Sequence, residues 1–266
     1  MKQAKERRKQ GVFLVEGIRM FSEIPRDIHV ESFATEEFYE SHKELFDGIS
    51  YELVSDNVMK SLADTRTPQG VISVVRQFAY SMEQVCGCSG ISCHEGAEGT
   101  VKSDGTGDES ISESRDNALV IALENIQDPG NLGTIIRTAE GAGVTGIIMS
   151  RDTVDIYNPK VVRSTMGSIF RVPFIYVDDL TDCIRKLGQR GFNTYSAHLQ
   201  GTTFYDFDYR KSTIFVMGNE GNGLSDEMSA ATKYKIRIPM MGKVESLNVA
   251  TAGTVLMYET MRQRNN

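Results

Sequence analysis

Four short apolar runs, at 118–123, 146–149, 214–217 and 236–238, alternate through the second half of the chain with stretches whose apolar residues recur at helical spacing. The first three, unbroken by any charge, read as strands covered on both faces, and the fourth is interrupted by Arg237. Their alternation with helices predicts an α/β fold on a mostly parallel sheet. After the first run, Leu132, Ile135, Ile136 and Ala139 fall at i, i+3, i+4 and i+7, which makes one buried helix face and leaves Arg137 on another. Residues 11–78 mix β-like runs (12–15 and 70–75) with helical stretches (17–24 and 58–62), the pattern of a smaller α/β domain. From about 81 to 117, Gly, Ser, Glu and Asp displace large apolar side chains, so the segment buries too little to offset its ordering entropy. The expected organisation is a small domain over 1–80, a flexible acidic linker over 81–117 and a larger domain over 118–266.

Length agrees with two domains: 266 residues with 40% apolar content exceed the usual single core. No apolar run approaches the roughly 20 residues that span a bilayer, so no membrane partner is expected. The first residues, MKQAKERRKQ, lack the apolar core of a secretory signal, and the expected location is cytoplasmic. Cys86, Cys88 and Cys93 crowd into a Gly- and Ser-rich stretch and, with Cys183, read as free thiols rather than a disulfide framework. His94 beside Cys93 adds a further possible ligand, but the spacing matches no common zinc finger, and no metal is expected.

The net charge of −7 argues at first against a nucleic-acid partner, but it is unevenly spread. Seven acids stand against Lys102 and Arg115 between Glu95 and Asp116, whereas Lys2, Lys5, Arg7, Arg8 and Lys9 face only Glu6 at the start. That basic segment reads equally as a phosphate contact or as a solvated helix face.

Three motifs carry candidate chemistry. In Glu124-Asn125-Ile126-Gln127-Asp128-Pro129-Gly130-Asn131-Leu132-Gly133, which follows a strand, Asp-Pro-Gly forces a turn and Asn131 is expected to cap the next helix. In Phe215-Val216-Met217-Gly218-Asn219-Glu220-Gly221-Asn222-Gly223-Leu224, a strand runs into a Gly-rich loop, which lets backbone approach a ligand and sets Glu220 at a strand's C-terminal end, ahead of a helix capped by Ser225. In the third, from Ile236 through Arg237, Ile238, Pro239 and Met240 to Ser246, Leu247 and Asn248, Ser246 is the expected cap of a long helix reaching about Met261, apolar on nearly every face. Gly141-Ala142-Gly143-Val144-Thr145-Gly146 matches a dinucleotide fingerprint, but its glycines close a helix and lead into a strand, the reverse of the context that binds phosphates. A second helix is expected to open at Asn158-Pro159, with Lys160 and Arg163 within reach of phosphates.

Together, and in this order near the chain's end, the three motifs resemble the signatures of the SpoU (TrmH-like) branch of the SPOUT RNA methyltransferases, over about Leu119 to Glu259. Arg8-Lys9-Gln10-Gly11-Val12-Phe13-Leu14-Val15-Glu16-Gly17 is similar to the start of that family's N-terminal, ribosomal-protein-like substrate-binding domain. The chain departs from the family in its long acidic insertion and a clipped N-terminus. The resemblance implies a C-terminal trefoil knot, S-adenosylmethionine as cofactor and a homodimer formed through the C-terminal domain. It assigns Gly218, Ile238, Leu247, Met217, Glu220 and Met240 to the cofactor, and Asn131, Arg137, Glu220, Ser246 and Asn248 to the reaction centre. The implied activity is 2'-O-methylation of a ribose, in ribosomal RNA before transfer RNA, with a non-catalytic RNA-binding protein on the same fold as the alternative.

A guanidinium is ordinarily a permanent donor, so Arg137 is expected to clamp phosphate and stabilise a developing alkoxide, with Glu220 accepting a proton or orienting the site. His198, in a strand-like stretch outside the motifs, is expected to be structural.

Overall fold

The protein's structure is a computed structural model that describes residues 3–87 and 117–266. They form two compact units, Met1–Phe78 with Asp155–Arg171, and Ala79–Val154 with Val172–Asn266.

In the first unit, α1 (Ala4–Gln10) turns into β1 (Val12–Glu16) at Gly11, whose φ of 64° is the left-handed conformation that glycine adopts without strain. There follow α2 (Ile18–Phe21), β2 (His29–Ala34), α3 (Glu36–Ser41), β3 (Tyr51–Leu53), α4 (Asp56–Leu62) and β4 (Val71–Arg76). The sheet order is β1-β4-β2-β3, antiparallel except for the β2–β3 pair. Thr35 and Ser55 cap α3 and α4 by accepting from Phe38 N and Val58 N. The helix expected over 17–24 is a single turn, α2, because Pro25 disfavours helical geometry in the residue before it.

The second unit opens with α5 (Met82–Cys86), which begins in a capping box made by Ser81 and Gln84. Met82, Val85 and Cys86 are buried in one cluster with Ala118, Val120, Ala122, Ile148, Ile184 and Leu187. The linker expected from 81 therefore starts instead as part of the core, since three apolar positions in one helical turn suffice to dock it. Residues 88–116, with Cys88, Cys93, His94 and the acids from Glu95 to Asp116, lie outside the described residues. Cys86 and Cys183 are buried, and the Cys86 thiol donates to Met82 Sδ at 3.6 Å.

The chain continues through β5 (Leu119–Leu123), α6 (Pro129–Gly141) and β6 (Gly146–Ser150). It then contributes α7 (Pro159–Thr165) to the first unit, where the Phe13 ring packs tilted against Tyr157 and Arg7, 3% exposed, is paired with Asp155 at 2.5 Å. Residues 155–171 pack on the small sheet, and their Asn158-Pro159 start is the capped helix N-terminus expected.

The second unit resumes with β7 (Phe174–Val177), α8 (Leu180–Gln189), β8 (Asn193–Thr203), β9 (Thr213–Met217), α9 (Asp226–Ala231), β10 (Tyr234–Arg237) and α10 (Val249–Arg264). Its six strands, in the order β10-β8-β9-β5-β6-β7, all pair in parallel, and the two central ones, β5 and β9, are buried at every position. The glycine-rich turn closes α6 and leads into β6 as read from sequence. Gly146 has a packing reason as well, because a Cβ there would lie 2.5 Å from the Val85 carbonyl of α5. No helix among the described residues is long and apolar enough to cross a membrane.

Candidate active site

Because the second unit's strands are parallel, the loops leaving β5, β9 and β10 emerge at one edge, the carboxyl edge, where open α/β sheets place their ligands. These are the three sequence motifs.

The first two loops are laced together by side chains. Glu124 accepts from Ser225 N at 2.9 Å and Ser225 Oγ at 2.7 Å, while Ser225 Oγ caps α9 by accepting from Met228 N. Asn219 Nδ2 donates to Asn125 O at 2.8 Å, and its Oδ1 accepts from the amides of Gly221 and Asn222. Asn125 sits at φ 55°, a conformation asparagine tolerates better than most residues. Gly218 is obligatory in this geometry: a Cβ would stand 2.3 Å from the backbone of Gly223, where the loop folds back on itself.

The third loop joins through a relay of amides. Glu220 Oε1 accepts from Asn131 Nδ2 at 2.9 Å, Asn131 Oδ1 accepts from Asn248 Nδ2 at 2.9 Å, and Asn248 Oδ1 accepts from Ala250 N and Thr251 N. The direction of the relay is forced. A carboxylate only accepts, so it takes the Asn131 NH2, which turns the Asn131 oxygen toward Asn248 and the Asn248 oxygen toward the first turn of α10. The glutamate's negative charge is thereby linked to the positive end of a helix of 16 residues. Glu220 also accepts from the amides of Gln127 and Asp128, both at 3.4 Å, and so holds the turn from which α6 starts.

Two expected caps are corrected by this arrangement. Asp128, not Asn131, caps α6, accepting from Asn131 N at 2.8 Å, with Pro129 at the first helical position where its missing N–H costs nothing. Asn248, not Ser246, caps α10. Both asparagines thus use their side chains to bind one another across two loops.

Of the residues assigned to the reaction centre, the structure brings together Asn131, Glu220 and Asn248. Ser246 is exposed in the loop before α10, and Arg137 is exposed on α6, its side chain without a hydrogen bond or ion pair among the described residues. At about 100° per residue, Arg137 lies about 120° around the helix from Asn131. Of the cofactor positions, Met217 is buried at the end of β9, Gly218 follows it, and Ile238, Met240 and Leu247 are half-buried on the third loop. Sequence reading passed over Glu124, Asp128, Asn219 and Ser225 as ties between loops. The Asp-Pro pair alone was a usable signal, since Pro at the first helical position implies an acceptor just before it. His198, half-buried on β8, accepts from Gln200 N at 3.0 Å, outside the three loops. Arg163 is paired with Asp64 at 2.7 Å. Among the described residues no group of three or more His, Cys, Asp or Glu is placed to hold a metal.

Behind the edge, Tyr195 and Tyr209 pack with Phe207, Phe215 and Tyr234. Burial pushes the Tyr195 hydroxyl up to about 12 and raises Tyr209 as well, so both stay protonated, and Tyr209 donates to Phe204 O at 2.6 Å.

Comparison with known proteins gives the site a lineage. The family model described as SpoU rRNA Methylase family matches residues 118–258. The chain belongs to the SpoU rRNA methylase family. A second model, the MRM3-like substrate binding domain, matches residues 1–73. Among SpoU relatives, an uncharacterised tRNA/rRNA methyltransferase of Synechocystis is 42% identical over 147 residues, 55% of this chain and 54% of that protein, so the match spans about half of that relative's length. The 23S rRNA guanosine 2'-O-methyltransferase RlmP of Bacillus subtilis is 28% identical over 96% of this chain and 90% of its own. The SpoU methyltransferase AviRb of Streptomyces viridochromogenes, solved in complex with AdoMet, superposes with a TM-score of 0.79 at 25% identity, covering 99% of this chain and 94% of that one. The α/β fold expected from the sequence is therefore the SpoU methyltransferase fold.

Proposed function

We propose that this SpoU-family chain transfers a methyl group from S-adenosylmethionine to a ribose 2'-hydroxyl of RNA, in ribosomal rather than transfer RNA, and works as a cytoplasmic homodimer. The observation that carries the reading is the relay Glu220–Asn131–Asn248, which makes one site of three loops. The name of the Bacillus relative and the N-terminal match to a substrate binding domain favour ribosomal RNA. Likeness to AviRb over nearly the whole chain supports a trefoil knot at the C-terminal end. For the dimer, α10 buries one stripe (Val249, Ala250, Gly253, Leu256, Met257, Thr260) and leaves Ala252 and Val255 half-buried and Tyr258 exposed, an apolar flank suited to a second copy.

The residues present fit the methyl donor. From Met240 to Leu247 the backbone makes no hydrogen bond among the described residues, and half-buried Ile238, Met240 and Leu247 punctuate it. Free amide and carbonyl groups beside apolar side chains are what an adenine ring takes, edge and face. Bound there, S-adenosylmethionine supplies an electrophilic methyl on a sulfonium.

The chain's own contribution is alignment, because an in-line displacement gains most from holding the attacking hydroxyl behind the methyl carbon. Gly218 lets the second loop approach closely, with Met217 beneath it. Glu220 spends its oxygens on Asn131 and the amides of Gln127 and Asp128, and so orients the site. Asn248 and Ser246 hold the ribose side. Arg137, exposed and uncommitted, grips the substrate phosphate and stabilises charge on the ribose oxygen as it loses its proton.

The test is incubation of purified protein with labelled S-adenosylmethionine and unmodified transcribed ribosomal RNA, followed by mapping of ribose methylation. One 2'-O-methylated nucleotide is expected. Label on a base, on transfer RNA alone or on no RNA overturns the reading.

A further inference from the structure

Among the cations of the first unit whose side chains pair with no described residue, Arg19 and Arg66 stand at one corner of the sheet. Both are exposed, and neither side chain has a hydrogen bond or ion pair among the described residues. Arg66 lies in a loop, 64–70, that is held from several sides, and Arg19 lies on α2 beside the point where that loop is bonded to it. Glu16, at the end of β1, accepts from Asp64 N at 3.1 Å and from the Thr65 hydroxyl. Gln69 Oε1 accepts from Ile18 N at 3.2 Å, beside Arg19. That approach needs Gly17, since a Cβ there would lie 2.5 Å from the same Gln69 oxygen, and Gly17 stands at φ 93°. Gly70, at φ 81°, is likewise closed in by Thr35 and Phe38, each 2.9 Å from where a Cβ would stand.

The acids nearby are all committed. Glu16 holds the loop, Asp64 pairs with Arg163 at 2.7 Å, and Glu23 pairs with Arg171. In contrast, Glu36, Glu37, Glu44, Glu52 and Asp56 are exposed on α3, the turn after it, β3 and the start of α4, with no ion pair among the described residues. The unit is thus polarised: most of its acids along 36–56 lie open, while Glu16, Asp64 and Glu23 are engaged and two guanidiniums stand unpaired, one on α2 and one on the loop held against it. A guanidinium whose backbone is fixed in advance loses little freedom on gripping a phosphate, and phosphate contacts set the register of a nucleic acid on a protein.

We propose that Arg19 and Arg66 form a phosphate-binding corner through which the first unit takes the RNA backbone, with the α3–β3 face turned away from it. The proposal deepens the functional reading above and rests on its RNA substrate.

The experiment measures binding of the full chain to unmodified transcribed ribosomal RNA by fluorescence anisotropy over a salt series. It compares the parent with Arg19→Ala, Arg66→Ala and the double reversal R19E/R66E, and uses Glu44→Gln as the control on the acidic face. Each alanine variant should weaken binding and lower the slope of log K against log salt by about one. The double reversal should remove most binding, while melting temperature and S-adenosylmethionine affinity stay at parental values. The control should bind as the parent does. A double reversal that binds with parental affinity and slope overturns the proposal alone. A parent that binds no ribosomal RNA overturns the functional reading and this proposal with it.

Discussion

Asn131 is the residue on which the site turns, because its amide donates to Glu220 and accepts from Asn248 at the same time. Asn131→Asp keeps the shape but replaces the donor with a carboxylate 2.9 Å from another carboxylate. It should therefore cost more methyl transfer than Asn131→Ala, which leaves the glutamate with its two backbone donors. Steady-state rates with both variants check the order, and equal losses would mean that the relay does not matter. Arg137 is the contrasting case: no described residue depends on its side chain, so its removal should leave the fold intact. Arg137→Ala is expected to abolish transfer while S-adenosylmethionine binding, read by calorimetry, changes little. Loss of both together would place Arg137 in the cofactor site instead. The chemical identities of these residues were legible in the sequence; their partners were not. Asn131 and Asn248 were both assigned to the reaction centre, but nothing in the sequence marked them as partners until the chain brought positions 117 residues apart to 2.9 Å.

At the scale of elements, periodicity and breakers performed unequally. The fully buried strands β5 and β9 and the amphipathic helix α6 were evident, since long apolar runs and a clean 3.6-residue stripe have few other readings. Helix α5 was missed because its five residues carry too little periodic signal, and their burial depends on a cluster formed with strands far along the chain. Strand β3 was missed for the opposite reason: all three of its residues are exposed, so no apolar pattern marks them.

The sheet of the first unit carries a pH dependence that can be given a sign. His29, at the start of β2, touches Ser32 Oγ at 2.8 Å, and Ser32 in turn meets Ser73 of β4 at 2.7 Å. Burial, and secondarily Arg26, lowers the imidazole below its ordinary 6.5. The folded unit thus prefers the neutral ring, so His29 contributes stability above pH 6.5 that is lost as pH falls toward its lower folded value. Melting temperature should decline on acidification through that window, and His29→Gln should decline less. Parallel curves would remove His29 as the cause.

For the whole molecule, the chain passes between its two units at Phe78, at Val154 and at Arg171, so a boundary drawn once along the sequence does not describe it. The proposed homodimer also belongs at this scale. Tyr258 is 43% exposed on an otherwise apolar flank of α10, and Tyr258→Asp would place a charge wherever that flank is covered. If a second copy covers it, light scattering should show the variant shifted to monomer at concentrations where the parent is dimeric. An unchanged mass would move the interface elsewhere.

The sequence by itself determined the parallel α/β core, the three loop motifs and the family they resemble, because buried strands, glycine turns and motif order are local properties that survive as a pattern of letters. Only the tertiary structure decided which residue caps which helix, that 82–86 belongs to the core, that 155–171 packs with the small sheet, and that Asn131 bridges Glu220 and Asn248. Those outcomes rest on distances between residues remote along the chain, and a hydrogen bond exists only where folding brings a donor and an acceptor to about 3 Å.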